Sequence, residues 1–313
     1  MPLHCRLFSC ALLLVLSLTP ALARAETFAG TWSIEPSSRA NQVQLGMQYR
    51  RGDEEWSESH AVDLAQLQGL TAADLTSPGE QKSFAIVRDA GTFHADGRLS
   101  GGHGAGTWTF APSSSFVDEL HRRGVGTPSD KEQFELAMSD FKVSTLDVLL
   151  RNGYARPSVG QLIEMGMHGV TDDYIRAMGG VRIEPKTVTE LIVMRDHGVT
   201  PDYAATMLHS SPQLSGNDLV RLRDHGVSSE YMAALTAARY GNVQPREAES
   251  MMDHGVTPEY IAGLAKLGYH PSLDDLVRLA DHGVSVEFIK RLRDHGYTHL
   301  SVEDLIRLRD HGF

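Results

Sequence analysis

Histidine recurs before glycine at a nearly constant interval in the second half of this 313-residue chain. Six such pairs return every 28 or 29 residues: His168-Gly169, His197-Gly198, His225-Gly226, His254-Gly255, His282-Gly283 and His311-Gly312. Imidazole nitrogen is a common zinc ligand, and histidine is the side chain that titrates nearest to neutral pH. The series therefore raises the hypotheses of a metal site and of a pH sensor.

The spacing favours a structural role for these histidines instead. Zinc needs its nitrogen ligands about 2.0–2.1 Å away, whereas equivalent residues on packed helices are about 8–10 Å apart. A histidine near a helix C-terminus lies beside carbonyls that lack partners, and a following glycine suits the left-handed residue of a helix cap. We therefore predict that the six pairs cap helices and form hydrogen bonds between repeats, with no metal and no cofactor.

Motifs for catalysis are not found in the sequence. Cys5 and Cys10 are the two cysteines, and there is no Gly-x-Ser-x-Gly elbow or His-Glu-x-x-His helix. Asp274-Asp275 resembles a pair of catalytic carboxylates, but it falls in the predicted first turn of a helix, where acidic residues are common. We therefore predict no catalytic residue and a protein that is not an enzyme.

Each period of 28 or 29 residues reads as two helices. The first is clearest at 301–312, where Ser301 is a good N-cap and Asp304 can reach back to it. The second is clearest at 257–268, where apolar residues recur every three or four positions after Pro258. Neither helix can bury its apolar stripe alone. The period therefore predicts an α-solenoid-like array of stacked helical hairpins.

Several copies depart from the common pattern. Ser139-Asp-Phe-Lys-Val-Ser144 aligns with Arg-Asp-His-Gly-Val-Thr, which places Phe141 at the histidine position. In the fourth copy, residues 245–252 replace the usual Leu-Val-Arg-Leu run. Arg-Asp dipeptides such as Arg195-Asp196 suggest ladders of ion pairs between repeats, and exposed pairs contribute only about 0–1 kcal/mol each.

Residues 26–112 read as short strands instead of helices. Apolar and polar residues alternate at 28–34, 42–49, 82–88 and 106–110, with turn-forming residues between them. We expect a small antiparallel sandwich or open barrel of five to seven strands, with Trp32 in its core. The glycine-rich stretch 101–106 leads into a strand, so we interpret it as a hairpin turn and not as a phosphate loop. Residues 66–79 are expected to be a long loop or a short helix.

Residues 1–25 resemble a secretory signal peptide, with Arg6, an apolar run at 11–18 and a small-residue cleavage site at 23–25. Cleavage after Ala25 would remove both cysteines and change the net charge from −11 to −13. That acidity disfavours nucleic acid and anionic membranes as partners. We predict a periplasmic or secreted protein with no stable membrane insertion after cleavage.

The repeat resembles one found in a known context. Leu191 to Ala204 and Met251 to Leu264 are similar to the extracytoplasmic C-terminal repeats of some BlaR-type antirepressor membrane metallopeptidases, and 88–93 and 104–110 look like the stretch before those repeats. The resemblance implies a periplasmic sensing or protein-binding module. Peptidase activity does not carry over, because the zinc motif is missing.

Taken together, the sequence predicts an α+β protein. Its parts are a signal peptide at 1–25, a small antiparallel β domain at 26–112 and a helical hairpin array at 113–313. The predicted function is an exported, non-enzymatic scaffold that binds a protein or peptide partner on the repeat surface. The first alternative is a small-molecule sensor whose β domain binds the ligand, and the second is an enzyme with an unrecognised site.

Overall fold

The strands between Phe28 and Pro112 form one antiparallel sheet. A computed structural model describes residues 27–184, 186–241 and 243–312, so the predicted signal peptide lies outside the described residues. The strand order is β3-β2-β1-β6-β5-β4. All six strands belong to this single sheet, and the described residues do not form the two facing sheets of a sandwich. The strands are β1 (Phe28–Pro36), β2 (Gln42–Arg51), β3 (Glu54–Asp63), β4 (Pro78–Arg88), β5 (Gly91–Ser100) and β6 (His103–Pro112).

Alternation along the strands gives the sheet one apolar face and one polar face. Trp32 is only 3% exposed, which confirms it as a core aromatic residue. The opposite face presents exposed polar side chains such as Thr31 and Thr107 to solvent. Gly30 is required where β1 passes the ring of Trp108, because a Cβ there would approach Trp108 Cζ2 to 2.6 Å.

The connections within the sheet follow the sequence prediction. The β5–β6 hairpin turns at Gly101 and Gly102, whose φ angles are 59° and 86°, as a two-residue turn of this kind requires. Between β3 and β4 the chain forms a 3₁₀ turn at Leu64–Gln66 and a short helix, α1, at Ala72–Leu75. Gln68 exchanges two 2.8 Å backbone hydrogen bonds with Ala85, so this connection covers part of the outer edge of β4.

The described residues beyond the sheet form fourteen helices, thirteen of which stack in two rows. First-row helices each contact the next first-row helix, and second-row helices each contact the next second-row helix. This regular stacking of alternate helices confirms the predicted β domain followed by a solenoid-like array. The first row is α3 (Asp130–Met138), α5 (Val159–Met167), α7 (Val188–Asp196), α9 (Gly216–Asp224), α11 (Pro245–Asp253), α13 (Leu273–Asp281) and α15 (Val302–Asp310). The second row is α4 (Ser144–Arg151), α6 (Asp172–Gly179), α8 (Pro201–Ser210), α10 (Ser229–Ala237), α12 (Pro258–Lys266) and α14 (Val286–Asp294), and α2 (Ser114–Arg122) precedes both rows.

No helix in the described ranges is long and apolar enough to cross a bilayer.

Helix α3 belongs to the array and to the core of the sheet at once. Its Phe134 ring lies 4.7 Å from the ring of Phe28 and 5.0 Å from that of Tyr49, measured between centroids. Trp108 and Phe110 also contact Phe134, at 5.9 and 5.6 Å. Aromatic pairs at such separations contribute beyond simple burial. The apolar face of the sheet is therefore completed by a helix from beyond residue 112.

Polar contacts tie the same junction together. The buried amide oxygen of Gln133 accepts a hydrogen bond from the Ser113 backbone N–H at 3.1 Å. Asp89 accepts one from the Val143 N–H at 2.9 Å. The sheet and the array thus share both a core and a polar boundary, although the predicted division falls at residues 112 and 113.

The degenerate first copy aligns two residues earlier than the sequence comparison placed it. Ser139 is the C-cap of α3, and Asp140, with φ of 50°, occupies the position that glycine holds elsewhere. The Phe141 N–H then bonds to the Leu136 carbonyl at 3.0 Å. Ser139 therefore corresponds to His168, and Phe141 corresponds to the valine that follows glycine in the other copies. Asp tolerates the left-handed conformation better than most residues, which explains why the glycine could be replaced.

The irregular fourth copy contains a compensated buried charge. Glu249 is 8% exposed and replaces an apolar residue of the first-row stripe. Arg221 of the preceding first-row helix donates to both Glu249 carboxylate oxygens, at 2.8 and 2.5 Å. The pair satisfies a carboxylate that would be costly to bury alone.

Phe134→Ala tests whether α3 completes the sheet. We expect a loss of about 3–5 kcal/mol in the free energy of unfolding, the usual result of emptying a buried aromatic site, together with a weaker near-ultraviolet circular dichroism signal from Trp108. Phe288→Ala, at an equally buried array position, should destabilise the protein but spare that signal. A loss below about 1 kcal/mol for Phe134→Ala would contradict the shared core.

Candidate functional site

The six predicted His-Gly pairs all lie at the ends of first-row helices. Each histidine is the C-cap, and each following glycine has a left-handed φ between 64° and 80°. In the first of these caps the Val170 N–H bonds to the Met165 carbonyl at 2.9 Å, and the Gly169 N–H bonds to the Gly166 carbonyl at 3.2 Å. These two bonds define a Schellman motif. The caps end each helix after nine residues or so and turn the chain toward the second row.

Five of the six capping histidines also bond to the next repeat. His168 Nδ1 lies 2.7 Å from Asp196 Oδ1, and the contact recurs along the array at 2.6–2.9 Å. Each aspartate directly precedes the next capping histidine, so one residue pair per repeat continues the series. The remaining contacts are His197–Asp224, His225–Asp253, His254–Asp281 and His282–Asp310. We call this series the His–Asp ladder.

A second, buried series runs beside the His–Asp ladder. The Tyr174 hydroxyl donates to the Val199 carbonyl of the following repeat at 2.8 Å, and Tyr203 makes the same bond to Val227. Tyr260 repeats it with Val284 at 2.7 Å. Burial raises the pKa of Tyr203 to about 12, so the phenol stays protonated and able to donate at neutral pH. Every such bond fixes the second-row helix of one repeat to the cap of the next.

Among the described residues, the Arg-Asp dipeptides do not form the predicted ladder of arginine–aspartate pairs between repeats. The aspartate accepts from histidine, as described above, and the arginine contacts other groups. Arg195 Nε donates to the Gly169 carbonyl at 3.1 Å, and its guanidinium lies 5.5 Å from the centroid of the Tyr174 ring. Arg223 lies over Tyr203 in the same way, at 5.6 Å. The arginine therefore covers the buried tyrosine from the solvent side.

The contacts of the His–Asp ladder join one histidine to one carboxylate in each repeat. Within the described ranges, no group of three or more His, Cys, Asp or Glu side chains converges to hold an ion. The hydrogen bond to Asp253 raises the pKa of His225 above its ordinary value of 6.5. His225 is therefore charged over a wider pH range than a free histidine.

Asp274 and Asp275 lie in the first turn of α13. Asp275 accepts a 2.9 Å hydrogen bond from Ser272 Oγ and pairs with Arg278 at 2.9 Å. These contacts are those of a helix start, and Asp275 is occupied by them.

The His–Asp ladder does not extend to the first repeat. Ser139 stands where a histidine would be, and Met167 stands where the next aspartate would be. Met167 is 76% exposed, which is unusual for a large apolar side chain. The two changes belong together, because without a histidine at 139 an aspartate at 167 would have no ladder partner.

Met167 lines a groove between the β2–β3 hairpin and helices α3 and α5. The groove has a volume of about 570 Å³, within the range of ligand-binding clefts. Its apolar wall is formed by Phe28, Tyr49, Trp56, Phe134, Met138 and Met167. We call it the junction groove, because it lies where the sheet meets the array.

Carboxylates dominate the polar part of the junction groove. Lys131 is the one basic residue of the lining, and its Nζ lies 2.6 Å from Glu54 Oε1. Burial raises the pKa values of Glu58 and Glu135, so both carboxylates lack full compensation by nearby cations. The acidic lining residues are Asp53, Glu54, Glu55, Glu58 and Glu135. The groove therefore has a negative potential.

One buried polar atom in the groove wall has no hydrogen-bond partner. Tyr49 is 5% exposed, and its hydroxyl is neither solvated nor bonded within the described ranges. Buried polar atoms are nearly always satisfied in folded proteins. The Tyr49 hydroxyl is an exception to this rule within the described lining of the groove.

A larger concavity of about 750 Å³ lies between the β4–β5 end of the sheet and the start of α2. Its most prominent polar groups are already engaged. Arg88 pairs with Asp140 at 3.3 Å, and Ser113 Oγ caps α2 by accepting from the Phe116 N–H at 3.2 Å. This concavity offers fewer free polar groups than the junction groove.

The sequence interpretation identified the ladder residues but not the junction groove. Its lining comes from four separate stretches, at residue 28 and around residues 53, 134 and 167. The one signal available in the sequence was Met167, an apolar residue at a position that five later copies fill with aspartate.

Two tyrosines provide a matched test of the buried series. Tyr203→Phe removes the bond to the Val227 carbonyl, and we expect unfolding in urea to show a loss of about 1 kcal/mol. The hydroxyl of Tyr231, at the equivalent position of α10, is buried without a partner. Tyr231→Phe should therefore cause no loss. Equal losses for both variants would refute the assigned role.

The pKa of His225 predicts a pH dependence of stability. Because the folded-state pKa exceeds the ordinary 6.5, the pair with Asp253 contributes stability that is fully present below pH 6.5 and is lost as pH rises through the folded pKa. Asp253→Asn keeps the hydrogen bond and removes the charge. We expect the His225 imidazole to titrate above 6.5 by NMR and to return toward 6.5 in the variant. Titration of the native residue at or below 6.5 would show the assignment to be wrong.

Comparisons of the chain with models of protein families, with curated proteins and with solved structures found no significant match.

Proposed function

We propose that this chain is an exported, non-enzymatic scaffold that binds a protein or peptide partner on its helical array, in the periplasm or outside the cell. The observation that carries the proposal is the two-row stacking, in which every helix contacts its neighbours in the row and the array grows in one direction. Such arrays expose a long, repeating surface and commonly bind extended partners.

Features of the second row support this reading. Ala205, Ala233 and Ala262 occupy the same solvent-facing position in three consecutive second-row helices. Small side chains at a repeated, exposed position allow another chain to approach the helices closely. The buried stripes beneath them hold the helices in fixed register, so a partner would meet a preorganised surface.

The sensor alternative receives less support from the packing of the sheet. A ligand inside the β domain would need an interior cavity, but the apolar face is filled by aromatic rings and by Phe134. The resemblance of the repeats to extracytoplasmic modules of BlaR-type proteins supports a regulatory or binding role and the proposed location.

Site-specific photocrosslinking tests the proposal. A photoreactive amino acid would replace Ala205, Ala233 or Ala262, and control positions would be Thr31 and Thr107 on the exposed polar face of the sheet. After irradiation of cells that produce the protein, we expect one discrete adduct from the alanine positions, identified by mass spectrometry, and none from the controls. Adducts that form equally at both sets of positions, or at neither, would contradict a binding surface on the second row.

A further inference from the structure

We infer that the junction groove binds an extended cationic peptide segment that pairs with the free edge of β3 and has the pattern Lys/Arg-x-apolar-x-Lys/Arg. This inference rests on the proposed function, since the segment would belong to the protein partner, and it assigns that partner a second point of contact with a defined chemistry.

The edge strand determines the form of the ligand. In the described sheet β3 pairs only with β2, so the outer side of β3 has backbone N–H and C=O groups available. Exposed edges of this kind accept an added strand from a peptide. The junction groove borders the same strand, because Glu54, Trp56 and Glu58 belong to both.

The side chains of β3 determine the pattern. Successive residues of a strand point to opposite faces, so Glu54, Trp56 and Glu58 share one face in the order acid, aromatic, acid. Cross-strand neighbours interact in pairs, and opposite charges stabilise such pairs. A peptide strand beside β3 would therefore match this face with a cation, an apolar side chain and a second cation at alternate positions.

The carboxylates of the groove favour the two cationic side chains of the proposed peptide. Glu54 is paired with Lys131, and Glu55 is paired with Arg50 at 2.7 Å. Glu58 lies 3.7 Å from His60 and also feels the charge of Arg88, yet burial still raises its pKa; Glu135 lies 4.0 Å from Lys131. Two partly buried carboxylates therefore remain weakly compensated, and a lysine or arginine from a ligand would neutralise them.

Apolar groups of the junction groove favour an apolar side chain at the centre of the peptide pattern. Trp56 is half-buried, and Met167 is exposed on the facing helix α5. Methionine adapts its shape to a ligand more easily than branched side chains do. The unpartnered hydroxyl of Tyr49 adds a polar group that a bound peptide could satisfy.

The test uses a fluorescein-labelled peptide with the core Lys-Thr-Leu-Thr-Lys and measures fluorescence anisotropy with the purified full chain. Three control peptides separate charge, pattern and strand pairing. One has the same composition in the order Lys-Leu-Thr-Thr-Lys, one has glutamate in place of both lysines, and one carries N-methyl groups on the threonine amides.

We expect the first peptide to bind at least about tenfold more tightly than every control, which corresponds to about 1.4 kcal/mol. Glu58→Gln and Met167→Ser should each weaken binding several-fold, because the first removes a carboxylate and the second removes an apolar group of the lining without adding charge. Asp173→Asn serves as the matched control protein, because its side chain is 96% exposed and lies outside the groove. Thermal melting of each variant checks folding. If Glu58→Gln does not fold, Met167→Ser carries the test, since Met167 is 76% exposed.

Equal binding of the ordered and reordered lysine peptides would show general attraction to an acidic protein and would overturn the inference. The inference would also be overturned if the groove variants bind the first peptide as tightly as Asp173→Asn does. If the peptide does not bind but photocrosslinking at Ala205, Ala233 or Ala262 still captures one partner, the scaffold proposal stands and the groove assignment fails. If neither the peptide binds nor photocrosslinking captures a partner, both the scaffold proposal and the groove assignment are wrong.

Discussion

The structure depends on one constraint: helices of about nine residues cannot be stable alone, and each exposes an apolar stripe that must be covered by its neighbours. Short helices are marginal in water because nucleation costs more than a few turns recover. Here each first-row helix from α5 onward is stopped by a histidine cap and a left-handed glycine. Stability must therefore come from stacking, which explains why the buried residues continue without interruption from the sheet to α15.

The polar groups of each repeat also depend on the stacking, because they form hydrogen bonds to the next repeat. His168 bonds forward to Asp196, and Tyr174 bonds forward to the Val199 carbonyl, so each repeat satisfies groups of the next one. Individual bonds of this kind contribute little, and the exposed ones least. Their effect is on register, because a repeat rotated or shifted by one residue would lose all of them at once. Glu249 shows that an exception is tolerated when a neighbour compensates it, as Arg221 does.

Departures from the repeat are concentrated where the array meets the sheet. Ser139, Asp140 and Met167 all break the pattern of later copies, and all lie near α3, the helix that places Phe134 in the aromatic core of the sheet. Because α3 packs against the sheet as well as against helices, its sequence differs from that of a first-row helix that packs against helices alone. The junction groove lies where the repeat departs from the sequence pattern of its later copies. Functional sites are often found at such departures.

The periodic part of this protein could be predicted from its residue pattern alone. The return of His-Gly, the N-cap residues and the apolar stripes specified two helices per 28 or 29 residues, and alternation specified strands, because both patterns are local consequences of backbone geometry. The residue pattern did not determine that the six strands form one sheet, that Phe134 fills its face, or that histidine and not arginine pairs with the aspartate of the next repeat. Those outcomes depend on which side chains meet across distances of 27 or more residues. Only the tertiary structure brings Trp56, Glu58 and Met167 to one groove, since no local pattern relates a strand edge to a helix end more than a hundred residues later.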